Sequence, residues 1–210
     1  MTYAVKECFL TLQGEGLQSG RRAVFLRFAG CNLWSGREAD RAGAQCTFCD
    51  TDFVGTDGLG GGKFADPTAL ADQVGRTWGE AEGERLVVVT GGEPMLQLDR
   101  ALIDELHGRG FGVAVESNGT LAAAEGIDWL CVSPKAGTTV VQRSGDELKL
   151  VWPQPGIDPA ELERWDFRNF LVQPMDCVAR QEALDAAVRL VMERPRWRLS
   201  LQTHKLIGLP

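Results

Sequence analysis

The chain has 210 residues, a formal net charge of −7 and a sequence pI of about 5.0. This acidic balance excludes a broadly basic surface for nucleic acid, and no apolar run approaches the roughly 20 residues of a membrane span. We therefore expect one domain over residues 1–210, with no nucleic-acid or membrane partner. The six cysteines come without a signal-peptide pattern, which favours the reducing cytoplasm.

Apolar runs and helical stretches alternate along the chain, which predicts an α/β fold with mainly parallel strands. Strands are predicted at 23–28, 86–90, 111–116, 129–133, 148–151 and 169–173, with an extra one at 197–202. Helices are predicted at 67–78, 98–109, 159–165 and 178–193. The connections on either side of the fourth strand lack a helical pattern, so helices are expected to be missing there. The segment from Asp57 to Lys63, in the glycine-rich stretch at 55–62, lacks Walker spacing and is expected to be a flexible loop.

Three cysteines with unusual spacing carry the strongest chemical signal. Cys31, Cys46 and Cys49, here called the loop cysteines, follow the pattern Cys-x14-Cys-x2-Cys. Three thiolates can hold a cubane iron-sulfur cluster and leave one iron open to another ligand, whereas electron-transfer clusters and structural zinc sites normally take four ligands. Taken alone, the Cys46–Cys49 pair also fits half of a zinc knuckle or a redox dithiol. We interpret the remaining outlying cysteines as core residues; these are Cys8, Cys131 and Cys177.

A second motif follows the apolar strand predicted at 86–90. Gly91-Gly92-Glu93-Pro94 comes directly after it, and glycines at such a point let backbone approach a ligand. An ordinary strand-to-loop turn would use the same residues. The occurrence of this motif together with the loop cysteines indicates a ligand site more specifically than either motif does alone.

Together the two motifs resemble the radical S-adenosylmethionine (AdoMet) superfamily, in which a three-cysteine loop holds a 4Fe-4S cluster and a GGEP segment receives AdoMet. Phe48 stands where that superfamily commonly has an aromatic residue beside the adenine. The first spacing departs from the usual three residues, because fourteen separate Cys31 from Cys46. With Leu12-Gln13-Gly14-Glu15-Gly16, this expanded loop is similar to that of the 7-carboxy-7-deazaguanine synthases.

The resemblance implies a modified, open six-stranded partial (β/α) barrel with reduced helices. Residues 31–49 would form the expanded cluster-binding loop, and residues 197–210 a C-terminal strand and tail that close the substrate site. Polar residues follow each predicted strand; one at a time they fit caps or turns, but together they fit a site at the strand ends. By resemblance, the AdoMet ligands are Phe48, Cys49, Asp50, Gly92, Glu93, Ser117, Ser133, Pro134, Lys135, Gln173, Pro174, Met175 and Asp176.

The implied substrate is 6-carboxy-5,6,7,8-tetrahydropterin, a flat heterocycle with one carboxylate. Its expected binding residues are Leu12, Gln13, Gly14, Glu15, Arg27, Thr90, His204 and Pro210. Arg27 suits bidentate carboxylate binding if it faces inward, and is otherwise a surface residue. The α-carboxylate of Pro210 is expected to accept hydrogen bonds from the guanidine-like edge of the substrate. The alternative is that the apolar tail simply covers core residues and that Pro210 ends in solvent.

The resemblance also implies a magnesium ion held by Thr51, an external one-electron reductant such as flavodoxin, and a homodimer. The implied reaction is radical contraction of the pterin to 7-carboxy-7-deazaguanine with loss of ammonia, on the queuosine-type pathway. Two alternatives stay open from the residues. One is another radical AdoMet enzyme, such as a glycyl-radical activase; the other is a zinc-binding interaction module using the loop cysteines and His204.

Overall fold

The computed structural model describes residues 2–210 and contains one mixed sheet of nine strands. The strands are β1 (Tyr3–Leu12), β2 (Arg22–Phe28), β3 (Gly62–Phe64), β4 (Arg85–Gly91), β5 (Phe111–Ser117), β6 (Trp129–Val132), β7 (Ser144–Trp152), β8 (Asp166–Pro174) and β9 (Trp197–Leu199). Their order is β3-β1-β2-β4-β5-β6-β7-β8-β9. From β2 onward every neighbouring pair is parallel, so the parallel part has seven strands. The α/β class and the open, unclosed sheet are confirmed.

The count of six strands with one extra omits the antiparallel edge formed by β1 and β3. The Gln13-Gly14-Glu15-Gly16 segment therefore connects β1 to β2 and does not precede the first strand. The sequence pattern did not predict β1, because a bulge between Val5 and Glu7 interrupts the alternation of apolar and polar residues along this strand.

Five helices cover the outer side of the sheet and the chain's end. They are α1 (Pro67–Trp78), α2 (Arg100–Gly108), α3 (Pro159–Leu162), α4 (Arg180–Glu193) and α5 (Thr203–Ile207). The carboxylates of Asp66 and Asp99 cap α1 and α2 by accepting the amides of Ala69 and Leu102. Within the described residues no helix lies between β5 and β6 or between β6 and β7, as predicted. Among residues 2–210, no helix has the length and apolarity needed to cross a membrane.

The two faces of the sheet differ because side chains alternate along each strand. On β7, Leu148 and Leu150 belong to the main hydrophobic core, which includes residues of α1, α2 and α4. The opposite face of the same strand carries Glu147 and Lys149, both buried. The inner face thus becomes polar toward the carboxyl ends of the strands, where a ligand site is expected in parallel α/β folds.

The glycine-rich loop at 55–62 is tied to β1, which differs from the flexible loop that its composition predicts. The amide of Gly58 donates to the Lys6 carbonyl over 2.9 Å, and the Cys8 amide donates to Leu59 over 2.7 Å. A Cβ atom on Gly60 would lie 2.4 Å from the Cys8 carbonyl oxygen. Glycine is required here because the two backbones touch.

The outlying cysteines only partly match the core prediction. Cys8 and Cys131 are buried, and burial raises the pKa of both thiols, that of Cys8 to about 11. Cys177 is exposed, because it lies in the turn between β8 and α4 and not in a strand. The core assignment is therefore wrong for Cys177.

Candidate active site

A cavity of about 360 Å³ opens at the carboxyl ends of the parallel strands. Most residues predicted for cofactor, substrate or metal line it. These are Leu12, Gln13, Glu15, Arg27, Cys46, Phe48, Cys49, Asp50, Thr51, Thr90, Gly92, Ser117, Ser133, Lys135, Gln173, Pro174, Met175, Asp176, His204 and Pro210. The fold therefore brings together residues that lie almost 200 positions apart in the sequence.

Four predicted site residues do not line the cavity: Gly14, Cys31, Glu93 and Pro134. Gly14 lies against His204, since a Cβ atom there would be 2.1 Å from its Nδ1. Cys31 lies against Gly92, where a Cβ atom would be 2.4 Å from the Cys31 Cβ. The carbonyl of Pro134 accepts the Gln154 side-chain amide over 3.4 Å.

The loop cysteines have free thiols. A hydrogen bond from the Cys46 thiol lowers the pKa of Cys49, so that it ionises more readily than an ordinary thiol. The Cys31 sulfur accepts the Leu33 amide over 3.4 Å. Within residues 2–210 no three His, Cys, Asp or Glu side chains form a group suited to a single metal ion. Three thiol donors on one loop nevertheless fit the ligand set of a 4Fe-4S cluster with an open iron.

Arg41, which no sequence motif marks, organises the loop that carries these cysteines. Its Nη1 donates to the carbonyls of Thr47 and Cys49 over 3.0 and 3.1 Å. Its guanidinium also lies 4.1 Å from the centre of the Trp34 ring. The expanded spacing between Cys31 and Cys46 therefore supplies side chains that order the Cys46–Cys49 turn.

The GGEP motif joins this loop to the neighbouring strand ends. The Glu93 amide donates to the Gly30 carbonyl over 3.0 Å. The fully buried Glu93 carboxylate accepts hydrogen bonds from the Ser117 hydroxyl, over 2.9 Å, and from the amides of Met95 and Asn118, over 2.9 and 2.8 Å. Burial raises the pKa of this carboxyl. In this structure Glu93 fixes the ends of β4 and β5 relative to each other.

The floor of the cavity carries two carboxylates joined by one ammonium. Lys149 Nζ donates to Glu116 Oε2 over 2.8 Å and contacts Glu15 Oε2 as well. The second oxygen of each carboxylate is also hydrogen-bonded. The Gln13 side-chain amide donates to Glu116 Oε1 over 2.8 Å, and the Gln202 side-chain amide donates to Glu15 Oε1 over 2.9 Å. Glu116 was predicted only as one of the polar residues at the strand ends, without a role of its own, and no role was predicted for Lys149. A charge in the apolar strand at 148–151 was the available signal, the same one that singled out Arg27.

Arg27 faces the cavity, so the surface alternative is excluded. Its Nε donates to Glu7 Oε1 over 2.7 Å, and the two side chains are 18% and 27% exposed. Glu7 is a further residue that sequence analysis missed, because β1 itself was missed. The ion pair fixes the guanidinium through Nε and turns the remaining fork toward the cavity.

The C-terminal segment contributes His204, Lys205 and Pro210 to the lining of the cavity. Thr203 donates through its amide and its hydroxyl to the Gly14 carbonyl, over 2.9 and 2.8 Å. Thr11 donates to the Pro210 carbonyl oxygen over 3.2 Å. Lys205 bridges Asp50 and Asp176 at 2.7 and 2.6 Å, which connects α5 to the loop after Cys49 and to the end of β8.

The fold and this arrangement define the class of the protein. Two of the loop cysteines, the glycines of the GGEP segment and polar strand ends line one cavity on an open, largely parallel sheet, and Cys31 lies against Gly92. The chain is a radical AdoMet enzyme.

Comparison with known proteins gives the family. A 7-carboxy-7-deazaguanine synthase of Bordetella pertussis is 60% identical over 210 residues, which cover 100% of both chains. The synthase of Burkholderia multivorans is 58% identical, again over 100% of both chains. The crystal structure of QueE from Escherichia coli matches with a TM-score of 0.74 and 28% identity, over 97% of this chain and 95% of that chain. No protein-family model matches the chain. The chain belongs to the 7-carboxy-7-deazaguanine synthase family, which decides against the activase and the zinc module.

Proposed function

We propose that this chain converts 6-carboxy-5,6,7,8-tetrahydropterin to 7-carboxy-7-deazaguanine with loss of ammonia, as a step of 7-deazapurine biosynthesis of the queuosine type. One observation carries the proposal: a single cavity is lined by Cys46 and Cys49, by the Arg27 guanidinium and by the partly buried carboxylates of Glu15 and Glu116. Its one end suits a cluster with AdoMet, and its other end suits a flat heterocycle with N–H donors and a carboxylate. The loop cysteines would hold the cluster and the residues around Lys135 would hold AdoMet, and these two groups would supply radical chemistry at C6 of the pterin.

At the substrate end the charges complement the pterin. Arg27 presents a planar fork that suits the substrate carboxylate, and Glu7 holds that fork in place. Glu15 and Glu116 are acceptors for N–H groups of the heterocycle, and Gln13 and Thr90 line the wall beside them. These residues orient the reacting carbon and exclude water, which is the expected contribution of protein in a cofactor-driven reaction.

At the cofactor end, Lys135 lies beside the residues proposed for the nucleoside. Its Nζ donates to both the carbonyl and the hydroxyl oxygen of Ser133 over 2.7 Å, and it lies 5.8 Å from the centre of the Phe48 ring. Burial lowers the pKa of this ammonium. Gln173 and Met175 follow on β8 and in the turn after it, and complete the proposed AdoMet wall.

We also propose that Thr51 binds a magnesium ion. Thr51 lines the cavity directly after Cys49. The carboxylates on both sides of Thr51 are already paired, Asp50 with Lys205 and Asp52 with Lys6. The ion would take the Thr51 hydroxyl, substrate oxygens and water, a ligand set that agrees with the preference of magnesium for oxygen and retained waters.

We further propose a one-electron reductant such as flavodoxin, a homodimer and a cytoplasmic location. The family resemblance is the basis for the first two. The location is supported by six free cysteines in the described residues, since thiols and a reducible cluster both persist in a reducing compartment.

Gly14→Ala is expected to weaken pterin binding by about tenfold, which corresponds to about 1.4 kcal/mol. The added methyl group would lie 2.1 Å from His204 Nδ1, so the imidazole must leave its place on the cavity wall. Calorimetric titration of the pterin measures the effect. Gly75→Ala is the matched control because a Cβ atom there meets nothing within 4 Å. Equal pterin affinity in both variants would show that His204 does not contribute to pterin binding.

Lys205→Met is expected to weaken both AdoMet and pterin binding several-fold while shifting the melting temperature only slightly. The ammonium is 31% exposed, and an exposed ion pair contributes at most about 1 kcal/mol to stability. Its loss frees α5 from Asp50 and Asp176 and so loosens both ends of the cavity. Lys63→Met, at an exposed position on β3, is the control. A large stability loss without an affinity change would contradict this role.

The proposed function is tested with pterin deuterated at C6, incubated anaerobically with reconstituted protein, AdoMet and reductant. Deuterium is expected in the AdoMet pool, because hydrogen removed from C6 returns through the cofactor in this family. Ammonia should be released in proportion to product. Unlabelled AdoMet together with a formed product would exclude hydrogen removal from C6.

A further inference from the structure

Lys149 occupies an unusual position for an ammonium group. It lies on β7 with its side chain only 4% exposed, and it projects toward the cavity floor. A buried charge is costly unless it is paired, so its partners define its role. Those partners are Glu15, from the β1–β2 connection, and Glu116, from β5. Their side chains are 15% and 23% exposed.

The titratable groups around this ammonium come from several elements. Besides the two carboxylates, they are Cys131 on β6, Lys135 in the connection after β6, and Glu147 on β7 itself. β8 contributes Gln173, which does not titrate. Glu147 is occupied by the Leu17 amide, which donates to its Oε2 over 2.9 Å. Without Lys149, Glu15 and Glu116 would form a desolvated pair of like charges that retains a proton.

We infer that Lys149 is a positioning residue, which offsets the like charges of Glu15 and Glu116 and directs both carboxylates together as acceptors for the N–H groups of the substrate. This inference rests on the proposed function and deepens it. Burial alone would lower the pKa of Lys149, but the Glu116 and Glu15 carboxylates raise it well above its usual range. Conversely, burial would raise the pKa of Glu15, but Lys149 holds it well below its usual range.

The hydrogen-bond geometry shows that Lys149 also helps to fix the orientation of the two carboxylates. Each carboxylate has one oxygen on Lys149 and the other on a glutamine, Gln202 for Glu15 and Gln13 for Glu116. Both groups are therefore fixed at two points before any ligand arrives. Two acceptors held in this way favour a heterocycle edge with N–H donors over an edge with carbonyl oxygens, because a carbonyl there would face negative charge.

The test is pterin binding to holoenzyme without reductant, so that no turnover occurs, measured by calorimetry from about pH 6 to about pH 9, the range in which a buried carboxyl pair is expected to titrate. Wild-type protein, measured in parallel, corrects for ionisation of the pterin itself. Lys149→Met is expected to bind pterin roughly 10- to 100-fold more weakly near neutral pH, as for loss of one charge-assisted acceptor. Its affinity should rise with pH relative to wild type, because the shared proton is lost as pH passes the raised pKa. Lys149→Arg keeps the charge and should show no such slope.

A merely structural role predicts a different result. Lys149→Met would then lose affinity equally at every pH, or lose AdoMet binding to the same extent, and either outcome overturns the inference. If this variant does not fold, the double variant Glu116→Gln/Lys149→Met decides, because it removes the repulsion. Its pterin affinity should show no slope relative to wild type, and a rise with pH would overturn the inference. Failure of wild-type protein to bind pterin would instead refute the proposed function.

Discussion

Alanine in place of any one loop cysteine is expected to abolish cluster assembly and turnover, whereas alanine at an outlying cysteine should leave both largely intact. The physical reason is that a cubane needs all three thiolates. Cys46 and Cys49 line the cavity and Cys31 lies against Gly92 beside it, whereas none of the outlying cysteines lines this cavity. Iron and sulfide content after anaerobic reconstitution measures the effect. Cluster occupancy is expected to fall from full to none, which is the largest effect expected of any substitution proposed for this protein.

Cys177→Ala is the cleanest control, because this residue is exposed and its loss creates no cavity in the core. Cys131→Ala is the more demanding one, since Cys131 is buried near the charged floor of the site. Iron loss in Cys131→Ala as complete as in Cys46→Ala would show that the ligand assignment is wrong.

Arg27→Ala is expected to weaken pterin binding by about 1.5 to 3 kcal/mol, the contribution of a charge-assisted hydrogen bond. AdoMet binding and slow uncoupled AdoMet cleavage should persist, because the loop cysteines and Lys135 stay in place. Arg27→Lys should rescue only part of the loss, since an ammonium lacks the planar fork. Separate calorimetric titrations of pterin and AdoMet distinguish the two effects.

Arg168→Ala serves as the matched control, because this arginine is 80% exposed on the surface. Unchanged pterin affinity in Arg27→Ala, together with lost AdoMet affinity, would contradict the placement of the substrate carboxylate. It would also leave the pair between Arg27 and Glu7 without a function in binding.

The parallel part of the fold was predictable because its strands are continuous apolar runs between helical stretches. The run at 86–90, for example, lies within β4 (Arg85–Gly91), and the helix predicted at 67–78 coincides with α1. The antiparallel edge was not predictable in the same way. β1 contains a bulge and charged residues, and β3 is three residues long. Such strands owe their existence to pairing, which a local pattern does not encode.

The residues of the candidate site also differ in how far a local sequence pattern predicts them. Residues in local motifs, such as Cys49 and Gly92, were found because spacing and neighbours mark them. Lys149 and Arg41 were not found, and Glu116 was predicted only as a strand-end residue, because their roles depend on partners distant in sequence or on loop geometry. Lys149, for instance, meets Glu15 across 134 positions. A charged residue within an apolar strand is the one local signal that such a partner exists.

Product formation tests the central claim most directly. Reconstituted protein is incubated anaerobically with AdoMet, reductant and 6-carboxy-5,6,7,8-tetrahydropterin, and the mixture is analysed by mass spectrometry. We predict 7-carboxy-7-deazaguanine, formed only when all three components and the loop cysteines are present. Intact carboxypterin after incubation with protein that carries a full cluster and cleaves AdoMet would contradict the account.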